Sequence, residues 1–246
     1  MTGVSRHGRA LAAAAGAAVM MLAGCSSVSS SLKQAGTSLK QVGAGARSGP
    51  PKTYSVGHVT MVAVDTAGTI TVTGTSGSGP VKVTESASYS KTPPATSHKV
   101  AGSALTLGYT CKTEILCSVD YDITVPRGTA VQAKGREGTI TLNSLSGPVT
   151  AKTVTGLISA NGLTSPSARL QADEGGIDAS FSSAPASVNA STNAGSIVLS
   201  VPNSAAYRIK SDALVGVGNV SVRRSPTSPH VITAHSDLGG ITIDPS

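Results

Sequence analysis

The chain has 246 residues, a formal net charge of +7, a pI near 9.5 and a mean hydropathy of +0.12. Aromatic residues make up only 2%, with one Phe and no Trp, which leaves few rings for stacking on nucleic-acid bases. Six of the 19 basic residues (Arg6, Arg9, Lys33, Lys40, Arg47 and Lys52) precede Thr53, and from there on thirteen Lys and Arg face twelve Asp and Glu. The larger part of the chain is therefore close to neutral, its basic character belongs to the N-terminal region, and nucleic-acid binding is excluded.

Arg6, His7 and Arg9 form a positive start, followed by the apolar run from Ala10 to Leu22 and then the small residues Ala23 and Gly24. A run of about 13 residues is too short for a membrane-spanning helix, which needs about 20, so the segment has the form of an export signal. Leu22-Ala23-Gly24-Cys25 resembles the lipobox of bacterial lipoprotein precursors, and the polar Ser26-Ser27 behind it suits that better than an ordinary secretory signal with an incidental cysteine. The resemblance implies cleavage before Cys25 and acylation of its thiol, and it places the protein on the extracytoplasmic face of the cell membrane, with membrane lipid as its first partner. A single chain holds only marginally, so durable attachment requires two or more.

Three regions follow from this: a signal over residues 1–24, a tether over 25–52, and a folded domain over 53–246. The tether is rich in Ser, Gly and Ala and ends in Pro50-Pro51, a composition that buries no core. Within it Ser31-Leu32-Lys33-Gln34-Ala35-Gly36-Thr37 is echoed by Ser38-Leu39-Lys40-Gln41-Val42-Gly43-Ala44. Two heptads, each holding a glycine, are too few for a coiled coil. With Cys25 acylated, Cys111 and Cys117 remain as a pair in an oxidising compartment. Their spacing predicts a disulfide closing the ends of a hairpin; a metal pair or a redox dithiol would call for CxxC spacing or nearby histidines.

The domain is built on a repeat of glycine followed two residues later by an aliphatic. The copies are Gly138-Thr139-Ile140, Gly156-Leu157-Ile158, Gly175-Gly176-Ile177, Gly195-Ser196-Ile197, Gly218-Asn219-Val220 and Gly239-Gly240-Ile241, with an earlier match at Gly68-Thr69-Ile70. The aliphatics of the six copies in series lie 18, 19, 20, 23 and 21 residues apart, and most are preceded by a second strand-like run such as Val149-Thr150-Ala151 or Val188-Asn189-Ala190. Apolar residues alternate with Thr, Ser, Asn or Lys, the period of a sheet with one buried face. Each repeat buries little alone, but stacked repeats share one narrow core. The expected fold is all-β, a single solenoid or β-helix-like stack of about six or seven two-strand rungs with glycines at corners needing positive φ; a β-sandwich is the alternative.

These Gly-x-Ile repeats, with Asp122-Ile123-Thr124-Val125-Pro126-Arg127-Gly128-Thr129 before them and Val198-Leu199-Ser200-Val201-Pro202 within them, resemble the bacterial DUF4097 family of adhesin-type β-strand repeat domains over about residues 54–245. Many members have Gly-Asp-Ile where this chain has Thr139, Leu157, Gly176, Ser196, Asn219 and Gly240, so no acidic row carries over. The resemblance implies a solenoid-like fold and brings no catalytic residues.

No residue is assigned to catalysis, to a cofactor or to a metal. Gly74-Thr75-Ser76-Gly77-Ser78-Gly79 lacks the spacing of a nucleophile elbow. Asp120 and Asp122 share one strand face, expected to be the solvated one, and His235 falls one residue off the inward Ala234. Asp173, Glu174 and Asp178 surround a glycine corner, where turn carboxylates could hold calcium. The expected function is that of a membrane-anchored surface protein with a non-enzymatic, adhesin-like interaction domain facing an envelope protein or wall glycan. A carbohydrate-active β-helix enzyme is the alternative, though such sites favour clustered acids and aromatic platforms that this sequence lacks.

Overall fold

The computed structural model describes residues 45–57, 59–112 and 116–246; Cys25, the 1–24 signal and the duplicated heptads lie outside the described residues. In chain order the strands are β1 (Arg47–Ser48), β2 (Lys52–Val56), β3 (Met61–Thr66), β4 (Ile70–Thr75), β5 (Val81–Tyr89), β6 (Ala95–Ala101), β7 (Ala104–Thr110), β8 (Cys117–Pro126), β9 (Ala130–Gly135) and β10 (Ile140–Asn143). They continue as β11 (Val149–Thr155), β12 (Ile158–Leu163), β13 (Ser167–Glu174), β14 (Ile177–Phe181), β15 (Ser187–Ala194), β16 (Ile197–Val201), β17 (Arg208–Val215), β18 (Gly218–Val220), β19 (Val231–Leu238) and β20 (Ile241–Pro245).

Two sheets form. Sheet A runs β1-β5-β8-β4-β10-β12-β14-β16-β20-β18, with β2 also on β5, and sheet B runs β17-β19-β15-β13-β11-β9-β3-β7-β6. Every pairing from β8 to β18 and from β7 to β17 is parallel, which is solenoid stacking and not the antiparallel order of a sandwich. The antiparallel strands β1, β2, β5 and β6 close one end. Arg47, Ser48 and Lys52, assigned to the tether by composition, pair with β5, so the folded unit starts earlier than residue 53.

The core lies between the sheets and follows the two-residue period. In sheet A, Ile70, Ile140, Ile158, Ile177, Ile197 and Ile241 align in one buried column. In sheet B, Leu105, Val62, Val131, Val149, Ala168, Val188 and Ile232 form another. A second pair of columns balances volume, since Ala133 shares its rung with Leu142, Leu170 with Ala179, and Ala190 with Leu199. Where the rung holds Ala151 and Ala160, a bulge between Ala160 and Leu163 turns Leu163 into the core.

The stack departs from sequence order at both ends. β3–β4 lies between β7–β8 and β9–β10, and β19–β20 lies between β15–β16 and β17–β18. Burial explains the second inversion. At matching positions β19–β20 offers Ile232, Ala234, Ile241 and Ile243, all buried, whereas β17–β18 offers Ile209, Ser211, Gly218 and Val220, none fully buried, so the rung with the larger apolar side chains goes inside. Leu214, Val215 and Val217 are left 64%, 63% and 79% exposed at that end.

Two further corrections concern the repeat. Gly218 pairs with Ile241 and Val220 with Ile243, so the corner glycine of that copy is Gly216, stacked on Gly239, and Gly218 takes the aliphatic place. The level formed by β7–β8 escapes the repeat because Tyr121 stands beside Ile70 where six other levels have Ile, and it raises the count to eight levels among the described residues.

That level also lacks a glycine corner. Cys111 and Cys117 are disulfide-bonded with a Cα–Cα distance of 6.2 Å, but they join the end of β7 in sheet B to the start of β8 in sheet A, not two strands of a hairpin. The cross-link closes a corner that elsewhere a tight glycine turn closes. Replacing both cysteines by serine is expected to lower stability by roughly 2 kcal/mol, the chain-entropy value for so short a loop, read as a shift in denaturant midpoint that reduction of the native protein reproduces.

Candidate functional site: the outer face of sheet B

Parallel in-register stacking turns every outward strand position into a column that crosses rungs at about 4.8 Å spacing. On sheet B one column reads Gln132, Thr150, Arg169, Asn189, Thr233, Lys210, and the next reads Lys134, Lys152, Gln171, Ser191, His235, Asp212. All are polar, because inward positions on the same strands already carry the apolar residues. Lys134, Lys152 and Arg169 converge around a shallow groove of about 120 Å³ that Gln132, Thr150 and Gln171, with Ala133 and Ala151, complete. Lys152 reaches Asp173 at 3.8 Å, while no ion pair engages Lys134 or Arg169 among the described residues. Further along, His235 stands between Asp237 at 2.9 Å and Asp212 at 3.5 Å. The face is a flat array of amide, hydroxyl and cationic donors.

The residues singled out from sequence fall as follows. Asp120 and Asp122 point outward from β8 as expected, and Asp120 Oδ1 accepts the backbone N–H of Thr69 at 2.7 Å, which fastens the β3–β4 corner to the next level. Asp173, Glu174 and Asp178 do not converge: Asp173 faces out from sheet B, Asp178 faces out from sheet A, and Glu174 lies exposed at the corner. The glycine corner between β13 and β14 carries the chain from one sheet to the other and so sets Asp173 and Asp178 on opposite outer faces of the stack, and no group of three or more His, Cys, Asp or Glu among the described residues has a metal-binding arrangement.

One buried carboxylate escaped sequence reading. Val81, Val83 and Glu85 occupy successive inward positions of β5, and Glu85 is only 3% exposed. The Tyr54 hydroxyl donates to Glu85 Oε1 at 2.6 Å, and the Tyr121 hydroxyl donates to the Gly108 carbonyl at 3.0 Å. Burial first, and then the hydrogen bond and charge of Glu85, push the Tyr54 phenol well above its ordinary value; burial and the Glu85 charge do the same to Tyr121. Both phenols stay protonated as donors. The period-two pattern Val-Lys-Val-Thr-Glu was the available signal.

No protein-family model and no curated protein matches the chain. Among solved structures it is similar to a candidate cell adhesion protein from Clostridium sporogenes, at 14% identity over 80% of this chain and 99% of that one, with a TM-score of 0.43. It is also similar to a candidate adhesin from Bacteroides fragilis, at 15% identity over 81% and 97% with a TM-score of 0.43. A third, a candidate adhesin from Parabacteroides distasonis, shows 13% identity over 81% and 97% with a TM-score of 0.33.

Proposed function

We propose that this is a lipid-anchored envelope protein of the DUF4097 type, held at the extracytoplasmic membrane face through acylated Cys25, whose β-repeat domain is a non-enzymatic binding module. The observation that supports it is the pair of polar columns on sheet B, with Lys134, Lys152 and Arg169 grouped around one groove. Protein interfaces concentrate aromatic and apolar residues at their centre. The outward positions around the groove, Gln132, Thr150, Arg169, Lys134, Lys152 and Gln171, have none; with Lys134 and Arg169 outside any ion pair among the described residues and Lys152 held by Asp173, this hydrogen-bonding face suits an anionic wall glycan better than an envelope protein.

Full-length protein co-sedimented with isolated wall glycan tests the reading. The triple variant Lys134→Gln, Lys152→Gln, Arg169→Gln is expected to retain its fold and lose retention about tenfold, the 1.4 kcal/mol that one or two exposed charge contacts supply together. Unchanged retention, or capture by membrane proteins in place of glycan, counts against it. Shortening of the glycan would make the protein an enzyme. Cys25→Ser is expected to shift the protein out of the membrane fraction.

A further inference from the structure

A second site lies at the closed end of the stack, away from the sheet B face. Between β1 and β5 and the turn that leads into β6 there is a cavity of about 220 Å³, walled by Pro50, Pro93, Pro94 and Tyr89, with Lys52 and Glu85 also lining it. Glu85 is only 3% exposed, and one of its oxygens is taken by Tyr54. No ion pair reaches it among the described residues, although Lys52 stands opposite on β2 in register. A carboxylate withdrawn from water is costly unless a cation or enough donors compensate it. One phenol compensates it in part, and, since no fully buried side-chain oxygen lacks a partner among the described residues, the other oxygen keeps contact with the open cavity.

We propose that this cavity binds a primary ammonium group on a short aliphatic stem, such as a lysine-type side chain or a small amine, with Glu85 as its counter-ion. The chemistry of the wall selects among cations. A guanidinium prefers two free carboxylate oxygens for its fork, and Tyr54 occupies one of them. A calcium ion needs six to eight oxygen ligands, and one carboxylate lines the cavity. An ammonium is a compact charge with three donors and no acceptor. Prolines suit it, because they have no N–H and offer only carbonyl oxygens and apolar ring surface to a donor-bearing ligand and its methylene stem. Tyr89 adds an aromatic wall of the kind that attracts cations.

The test titrates full-length protein with n-butylammonium and, as controls of equal shape, n-butanol and n-butyrate, following the unfolding midpoint and the amide resonances of β5 and β6. Butylammonium alone is expected to raise the midpoint and shift Glu85 to Thr96. Glu85→Gln keeps the acceptor for Tyr54 and is expected to weaken binding at least tenfold; Lys52→Met, which removes the cation in register with Glu85, is expected to bind as well or better. Equal binding of butanol, equal binding by Glu85→Gln, or no binding to either wild type or Lys52→Met overturns the proposal. Binding to Lys52→Met alone also overturns it, since it makes Lys52 itself the occupant.

Discussion

Gly175→Ala is expected to destabilise the protein by about 4 kcal/mol or more, at the diagnostic end of the range for single substitutions. Gly138, Gly156, Gly175, Gly195, Gly239 and Gly216 stack in one column along the corner that joins sheet B to sheet A. At Gly175, φ is 134°, a backbone region that side chains rarely adopt, and a Cβ there would run into the backbone carbonyl of Gly156 in the rung below. The obstacle is main chain locked into the ladder, since the Gly175 N–H donates to Ala194 and the Gly156 N–H donates to Glu174 at 2.8 Å. The Gly175 carbonyl also receives the buried Thr192 hydroxyl at 2.8 Å, so the corner cannot rotate away without orphaning it. Relief would require parting two rungs. Gly218→Ala is the control: its Cβ meets nothing within 4 Å, and its effect is expected to stay within about 1 kcal/mol. Equal denaturant midpoints for Gly175→Ala and Gly218→Ala would remove the column as the determinant of rung spacing.

The contrast between these two glycines shows where sequence reading succeeds and where it stops. Rung after rung, a glycine two residues before an aliphatic marks a corner followed by an inward side chain, and from Ile140 to Ile197 the structure follows that rule without interruption. Near the C-terminus the rule finds Gly218 and Val220, yet Gly216 forms the corner and Gly218 itself stands in the aliphatic place, a Gly-Val-Gly spacing that the rule does not recognise. Only packing against Ile241 and Ile243 chooses between the two glycines. Stacking order is likewise invisible to spacing. A parallel stack can accept its rungs in any order that the loops permit, and burial places the rung with three isoleucines inside the one with Ser211 and Gly218.

For the site, the polar columns were legible as alternation, but their composition depends on register. Lys134, Lys152 and Arg169 lie 18 and 17 residues apart in sequence and become neighbours only because β9, β11 and β13 pair as they do. Glu85 was overlooked for the opposite reason. Its inward position follows from Val81 and Val83, but a carboxylate at an inward position conflicts with the apolar rule, and conflicts between local pattern and residue type are where functional sites are expected.

Deleting residues 231–246 is expected to melt two rungs, not one. Among the described residues β17 pairs only with β19, and β18 only with β20, so the deletion removes their ladder bonds in the outermost rung along with the rung inside it. Burial of Ile232, Ile241 and Ile243 is lost, each worth about 1.5 to 3 kcal/mol. The outer rung cannot slide inward to replace them. Docked on β16, Gly218 would stand where Ile241 stood and Ser211 where Ala234 stood, leaving a void the size of an isoleucine side chain beside Ile197. The net loss is expected to reach roughly 5 kcal/mol, comparable to the whole stability of many domains. Amide hydrogen exchange distinguishes the outcomes: in the deleted chain the amides of β17 should exchange as freely as an unfolded segment, while those of β11 to β14 keep their protection. Full protection of β17 would mean that the rungs stack in chain order after all, with the C-terminal strands as a removable cap.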